Sequence, residues 1–277
     1  MNTLAVSNIA WSPEEETEVA DLLRELDVHQ VEIAPTKVFP DPTEVSGAAL
    51  DGYIDFWRDR NVSIVAFQSM LFGRPDLQVF DSGDLRRETF QRLASFVNLA
   101  GRMGVRALVF GSPKNRVVPG SMSSHQAMDI AVPFFRDLGR VAEDAGTIFC
   151  IEPNPAVYGC NFVNTAAEGF ALVSMVDTPG FRLHLDAAGM TLAGDNLTDA
   201  ISSSASMLTH FHVSAPQLGE LEEQVVDHSL AAAALTDTGY TGTLSIEMRS
   251  GAPGEASRRV RDAVALARRH YPVAQIA

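Results

Sequence analysis

Residues 148–155 read IFCIEPNP, an apolar run that ends on a carboxylate and is then broken twice by proline. Side chains alternate faces along a strand, so Phe149 and Ile151 share one face while Cys150, Glu152 and Asn154 share the other. A single carboxylate at the end of a buried strand could be an accident of a loop. The chain repeats the arrangement three more times, in RLHLD (182–186), HFHVS (210–214) and LSIEM (244–248). Each run sets an apolar face (Leu183 and Leu185; Phe211 and Val213; Leu244 and Ile246) against a polar one. The polar faces carry His184 and Asp186, then His210, His212 and Ser214, then Ser245 and Glu247.

Those four runs belong to a longer alternation. Strand signals fall at 4–10, 30–34, 62–68, 107–112, 148–153, 182–188, 209–214 and 243–249. Helical patterns fall between and after them, at 13–26, 43–59, 84–102, 122–145, 164–177, 196–206, 229–238 and 255–271. The first helix has a clear start, with Ser12 as N-cap, Pro13 in the first turn and Glu15 in the capping-box position. Strands alternating with helices of this length imply parallel pairing through right-handed crossovers. Eight such units in one chain predict an α/β fold, a single (β/α)8 TIM barrel spanning 1–277. The alternative is an open doubly wound sheet, but no G-x-G-x-x-G follows the first strand.

In a barrel the apolar faces meet the outer helices and the polar faces point inward. Glu152, Asp186, His212 and Glu247 then stand at the C-terminal strand ends, where TIM barrels place active sites. Each acid by itself could cap a helix or pair with a lysine. Three carboxylates converging on one poorly solvated spot repel, and a divalent cation removes that cost. Three carboxylates and one imidazole, with no thiolate, suit Mn²⁺ first, with Mg²⁺, Co²⁺ or Zn²⁺ as alternatives.

The bulk composition narrows the class. A formal charge of −14 lacks the basic footprint of a nucleic-acid binder. No apolar run approaches a membrane span, and the start MNTLAVSNIAWSPEEE has no basic leader, so the expected location is the cytoplasm. Cys150 and Cys160 are too few for a disulfide framework, which fits a reducing compartment.

At these residues the chain resembles the sugar-phosphate isomerase/epimerase family, the barrels related to xylose isomerase. The resemblance spans nearly the whole chain. Its most specific piece is VVDHSLAAAALTDTGYTGTLSIEMR (225–249), and IEPNP, HLDAAGM and HFHVS supply the other matches. It implies a xylose-isomerase-like barrel whose metal ligands are Glu152, Asp186, His212 and Glu247. It further implies proton transfer alpha to a carbonyl through a cis-enediolate, with Glu152 and Glu247 as base and acid. Proton return to the opposite face gives epimerisation, and return to the adjacent carbon gives aldose–ketose isomerisation; the residues leave both open. Two departures stand out. Ketohexose epimerases usually have histidine where this chain has Gly189, and arginine where it has Leu218. A metal-dependent lyase or dehydratase on a keto-sugar or keto-inositol, and a non-catalytic sugar-binding barrel, are the alternative readings. Family members are often dimers or tetramers.

Further polar residues are candidates for substrate contact. They are His184, Asn154, Glu32 at the second strand's end, Lys114 and Arg116 in GSPKNR (111–116), and Arg249 after Glu247. Each has a plainer reading as core packing, a wall ion pair or a solvated loop. Trp11 and Phe67 are candidates for an apolar wall, and segment 70–83 for a lid hinged at Gly73 and Gly83. Specificity is expected to rest on that segment and on loops 157–165 and 214–224.

Overall fold

The computed structural model describes residues 2–222 and 225–273. Residues 223 and 224, part of the loop read as specificity-determining, lie outside the described residues. Eight strands close into one parallel barrel in sequence order: β1 Thr3–Ser7, β2 Gln30–Ile33, β3 Ser63–Phe67, β4 Ala107–Phe110, β5 Ile148–Ile151, β6 Phe181–Asp186, β7 Leu208–Ser214 and β8 Thr243–Glu247. The helices are α1 Glu16–Glu25, α2 Pro35–Val38, α3 Gly47–Arg58, α4 Gly83–Met103, α5 Ser124–Asp144, α6 Ala166–Val176, α7 Ala187–Ala193, α8 Leu197–Ser204, α9 His228–Asp237 and α10 Ala256–His270. Each predicted strand and helix has its counterpart, with ends shifted by a few residues; α2 and α7 are additional. No described helix is long and apolar enough to cross a membrane.

Strand alternation sorts the side chains into two compartments. Leu4, Val6, Val31, Ile33, Leu108, Phe110, Phe149, Ile151, Leu183, Leu185, Phe211, Val213, Leu244 and Ile246 all join the main apolar core between sheet and helices. Within it, Phe149 and Phe181 stack at 6.5 Å, and Phe181 stacks on Phe135 of α5 at 5.0 Å. Such pairs add about 0.5–1.5 kcal/mol each beyond their area burial. Trp11 and Phe67 also belong to this core rather than to a sugar-facing wall. Trp11 packs against Trp57 with centroids 6.5 Å apart. Inside the barrel the filling is small near β3–β5, where Ala66, Ala107 and Cys150 form a separate cluster. It becomes polar from β6 to β8.

The strands are staggered, so the four strand-end residues do not sit at one level along the ladder. Asp186 pairs with His212, His212 with Ser245, and Ser214 with Glu247. Glu247 is therefore one inward step above His212. Barrel closure requires this shear. Convergence of the four side chains comes from strand tilt rather than from equal register.

Segment 70–83 is firmly attached. Leu77, Val79 and Phe80 are buried, and Phe80 meets Phe162 edge-on at 4.7 Å. Asn115 donates to Arg74 O and Leu77 O at 2.7 Å each, and Val79 N donates to Asn115 O at 2.9 Å. The tip around Phe72, 79% exposed, projects, and Pro75, Asp76 and Asp81 are also exposed. Gly83 opens α4 rather than serving a free hinge, because Ser82 caps that helix through Leu85 N.

Candidate active site

β5 ends at Ile151, and Glu152 N still donates to Phe110 O at 3.2 Å, so the ladder carries Glu152 to the barrel mouth before Pro153 ends it. Its carboxylate occupies a place that only glycine leaves open. A Cβ on Gly111 would lie 1.8 Å from Glu152 Oε2 and 2.8 Å from its Cδ. On the next strand, Asp186 is both a strand end and the N-cap of α7. One carboxylate oxygen accepts from Gly189 N, and Oδ2 accepts from Ser214 Oγ at 2.5 Å. This capping is the plainer role an acid can have here, and it leaves the carboxylate facing its neighbours.

Ligand atoms of Glu152, Asp186 and His212 lie within 4.8 Å of one another. Nδ1 of His212 stands 3.2 Å from Glu247 Oε2 and 3.9 Å from Asp186 Oδ2. The structure thus groups three of the predicted ligands and sets the fourth, Glu247, against His212. The other ring nitrogen, Nε2, bonds Glu32 Oε2 at 3.0 Å, and Ser245 Oγ donates to the same oxygen at 2.6 Å. A carboxylate behind a histidine fixes its ring and its tautomer, the arrangement common behind metal-binding histidines.

The electrostatics favour a positive charge among these carboxylates. Burial, then Glu247 and Asp186, push the Glu152 carboxyl up to about 8. Burial and Glu247 push Asp186 up to about 6. Burial opposes charge on His212, but Glu247 and Glu32 outweigh it and hold its pKa well above the usual imidazole value. Burial would raise Glu32, yet His212 and His210 pull it well below the usual carboxylate range. The donor set is of a kind that could hold a divalent cation. His212 Nδ1 is buried without a hydrogen bond of ordinary geometry, and it stands beside Glu247 in a cluster where burial and neighbouring charge oppose ionisation of Glu152 and Asp186.

A cavity of about 280 Å³ opens over this cluster, with Glu152, Asp186 and Glu247 in its lining. Asn154 also lines it, as do Gln68, Ser69, Tyr158, Ser214 and Leu218. Lys114 and Arg249 are exposed. Glu32, His184 and Arg116, read from the sequence as substrate-binding, are buried and are not lining residues. Glu32 backs His212. His184 lies inside the barrel, its ring centroid 4.1 Å from that of His212. Arg116 donates to Phe110 O at 3.1 Å and to Glu152 O at 2.6 Å, tying β4 to the residue that carries the carboxylate.

The sequence pattern singles out neither Gln68 nor Ser69, and it reaches Tyr158 only as part of the loop 157–165. Gln68 shares the inward parity of Ala66 and could have been found from it. Tyr158 sits in a short 3₁₀ turn and carries no periodic signal.

A family model described as xylose isomerase-like TIM barrel matches residues 20–270. Among curated relatives, D-psicose 3-epimerase of Agrobacterium fabrum is 33% identical over 112 residues, 38% of this chain and 36% of that protein. The match therefore spans about a third of the relative's length. The crystal structure of D-psicose 3-epimerase with D-tagatose from Clostridium cellulolyticum H10 superposes with a TM-score of 0.81 at 16% identity, covering 97% of this chain and 99% of that one. That of 3-keto-D-glucoside 4-epimerase from E. coli gives 0.79 at 18% identity, covering 97% and 100%. At such identities the likeness is one of fold. Together with the closed eight-stranded barrel, the match over residues 20–270 establishes that this chain belongs to the xylose isomerase-like TIM barrel family.

Proposed function

We propose that the protein is a divalent-metal-dependent epimerase or isomerase of a sugar or sugar derivative, acting by proton transfer next to a carbonyl. The observation that carries this is the convergence of Glu152, Asp186, His212 and Glu247 beneath one cavity large enough for a monosaccharide. The names of the two kinds of epimerase described above support it, since each denotes inversion at a carbon adjacent to a ketone.

Glu152, Asp186, His212 and Glu247 would hold the cation, which when bound would polarise the substrate carbonyl and acidify the neighbouring C–H. Glu152, just past the end of β5, and Glu247, the last residue of β8, both line the cavity and act as the proton-removing and proton-returning groups. Asp186, anchored by Gly189 N and Ser214, keeps a fixed position. Glu32 holds His212 in the tautomer that leaves Nδ1 free toward the cluster. Asn154 meets the substrate from the wall, while Lys114 and Arg249 act at the rim, and the 1–277 chain works as one domain. Mn²⁺ is the preferred ion because oxygen donors dominate. The working location is the cytoplasm, supported by the cysteine usage, and the assembly a homodimer or homotetramer, supported by resemblance to the family.

The test is a solvent-deuterium exchange screen. Metal-loaded protein is mixed with ketoses, aldoses, keto-glycosides and keto-inositols, and label is followed by NMR. The expected result is label at the carbon beside the carbonyl, lost in Glu152→Gln while the metal is retained. Loss of water or of a leaving group without exchange into an isomer would replace this reading with lyase chemistry. Exchange in none of the compounds would overturn it.

A further inference from the structure

Beneath the site just described, the barrel holds a second group of donors. His184 and His210 pair across β6 and β7, one inward step below Asp186 and His212. Ligand atoms of His184, His210 and His212 lie within 4.8 Å of one another, and all three residues are buried. Neither ring nitrogen of His184 has a hydrogen bond of ordinary geometry, although the residue is 0% exposed. His210 Nε2 is likewise buried without one, and it faces Glu32 Oε1 at 3.3 Å. Buried polar atoms are ordinarily paired, so a barrel interior that leaves these nitrogens empty calls for a partner.

We propose that His184 and His210, with Glu32 against His210, form a second, nitrogen-rich cation site inside the barrel, selective for Zn²⁺ over the ion of the upper site. Two imidazoles and one carboxylate are a familiar zinc donor set, with a remaining position for water. The upper cluster, with three carboxylates to one imidazole, suits harder ions. Glu32 can serve both roles at once. Oε2 keeps its bonds to His212 and Ser245, while Oε1, 3.2 Å from His212 Nε2, also faces His210 at 3.3 Å. Access comes from the opposite mouth of the barrel. A cavity of about 370 Å³ opens at the N-terminal strand ends, lined by Thr3, Gln30, Ser63, Thr209 and Thr243, and it reaches His210. An ion can therefore enter without passing the upper site.

The test is metal stoichiometry on full-length, metal-stripped protein equilibrated with Zn²⁺ alone and then dialysed. The expected result is two equivalents per chain in the wild type. One equivalent is expected in the double variant His184→Leu/His210→Leu, and one in Glu152→Gln/Asp186→Asn. With Mn²⁺ in excess over one equivalent of Zn²⁺, both metals are retained. Anomalous scattering at the zinc edge from wild-type crystals needs no variant, and should place a peak between the His184 and His210 rings. A single zinc equivalent in the wild type would overturn the proposal. So would a second equivalent that survives His184→Leu/His210→Leu, or an anomalous map without density there.

Discussion

Gly111→Ala separates the fold from the chemistry. The new methyl would lie 1.8 Å from Glu152 Oε2, whereas ordinary contact is about 3.5 Å, so the carboxylate must move by roughly 1.5 Å or more. It can do so, because it is the tip of a flexible side chain beside an open cavity. Gly111 does not occupy a left-handed conformation, so alanine adds no backbone strain, and lower unfolded-chain entropy favours the variant by about 0.4–1 kcal/mol. A misplacement of about 1 Å at a reacting group costs on the order of 100-fold in rate, or about 2.7 kcal/mol of barrier. The expectation is a metal-free thermal midpoint near that of the wild type, with exchange kcat/KM lowered about 100-fold or more. Gly120→Ala is the control: nothing lies within 4 Å of its added methyl. It should leave both quantities unchanged. The assay pairs calorimetry with NMR-detected exchange. Wild-type exchange in Gly111→Ala would refute the placement of Glu152 at the reacting centre.

Three further outcomes are expected. In metal-free protein, folding raises the Glu152 carboxyl to about 8 and Asp186 to about 6, so the folded state binds the extra protons. Stability should then fall as pH rises from about 4.5 through 8, by up to about 1.4 kcal/mol per pH unit per group, and His212, raised well above its usual value, adds to the same trend. Added Mn²⁺ should raise the thermal midpoint more at pH 8 than at pH 5.5, and an equal gain at both would contradict the proton–cation exchange. Glu32→Gln removes the charge behind His212 and should weaken cation binding at the upper site about 10- to 100-fold, measured by calorimetric titration with Mn²⁺; unchanged affinity would deny Glu32 that role. Arg116→Met leaves Glu152 O without its 2.6 Å donor. It should lower stability by about 1–3 kcal/mol in urea unfolding, and a variant as stable as the wild type would show that the tie is dispensable.

Periodicity was enough to read the barrel, because a strand buried on one face by helices and on the other by the barrel interior must alternate in a way that local composition records. The same alternation put Glu152, Asp186, His212 and Glu247 inward, and their residue types carried the idea of a cation. Alternation cannot say how far round the barrel each side chain reaches. Strand stagger decides that, and it set Glu32 behind His212 rather than in the cavity, with His184 below it. Arg116 illustrates the same limit: a charged residue in a loop reads as solvated until its partners are known, and these are two backbone carbonyls brought together by β4 and β5. Gly111 is the converse case. Nothing in its neighbours along the chain marks it, because what demands glycine is a carboxylate 41 residues away that only folding brings alongside.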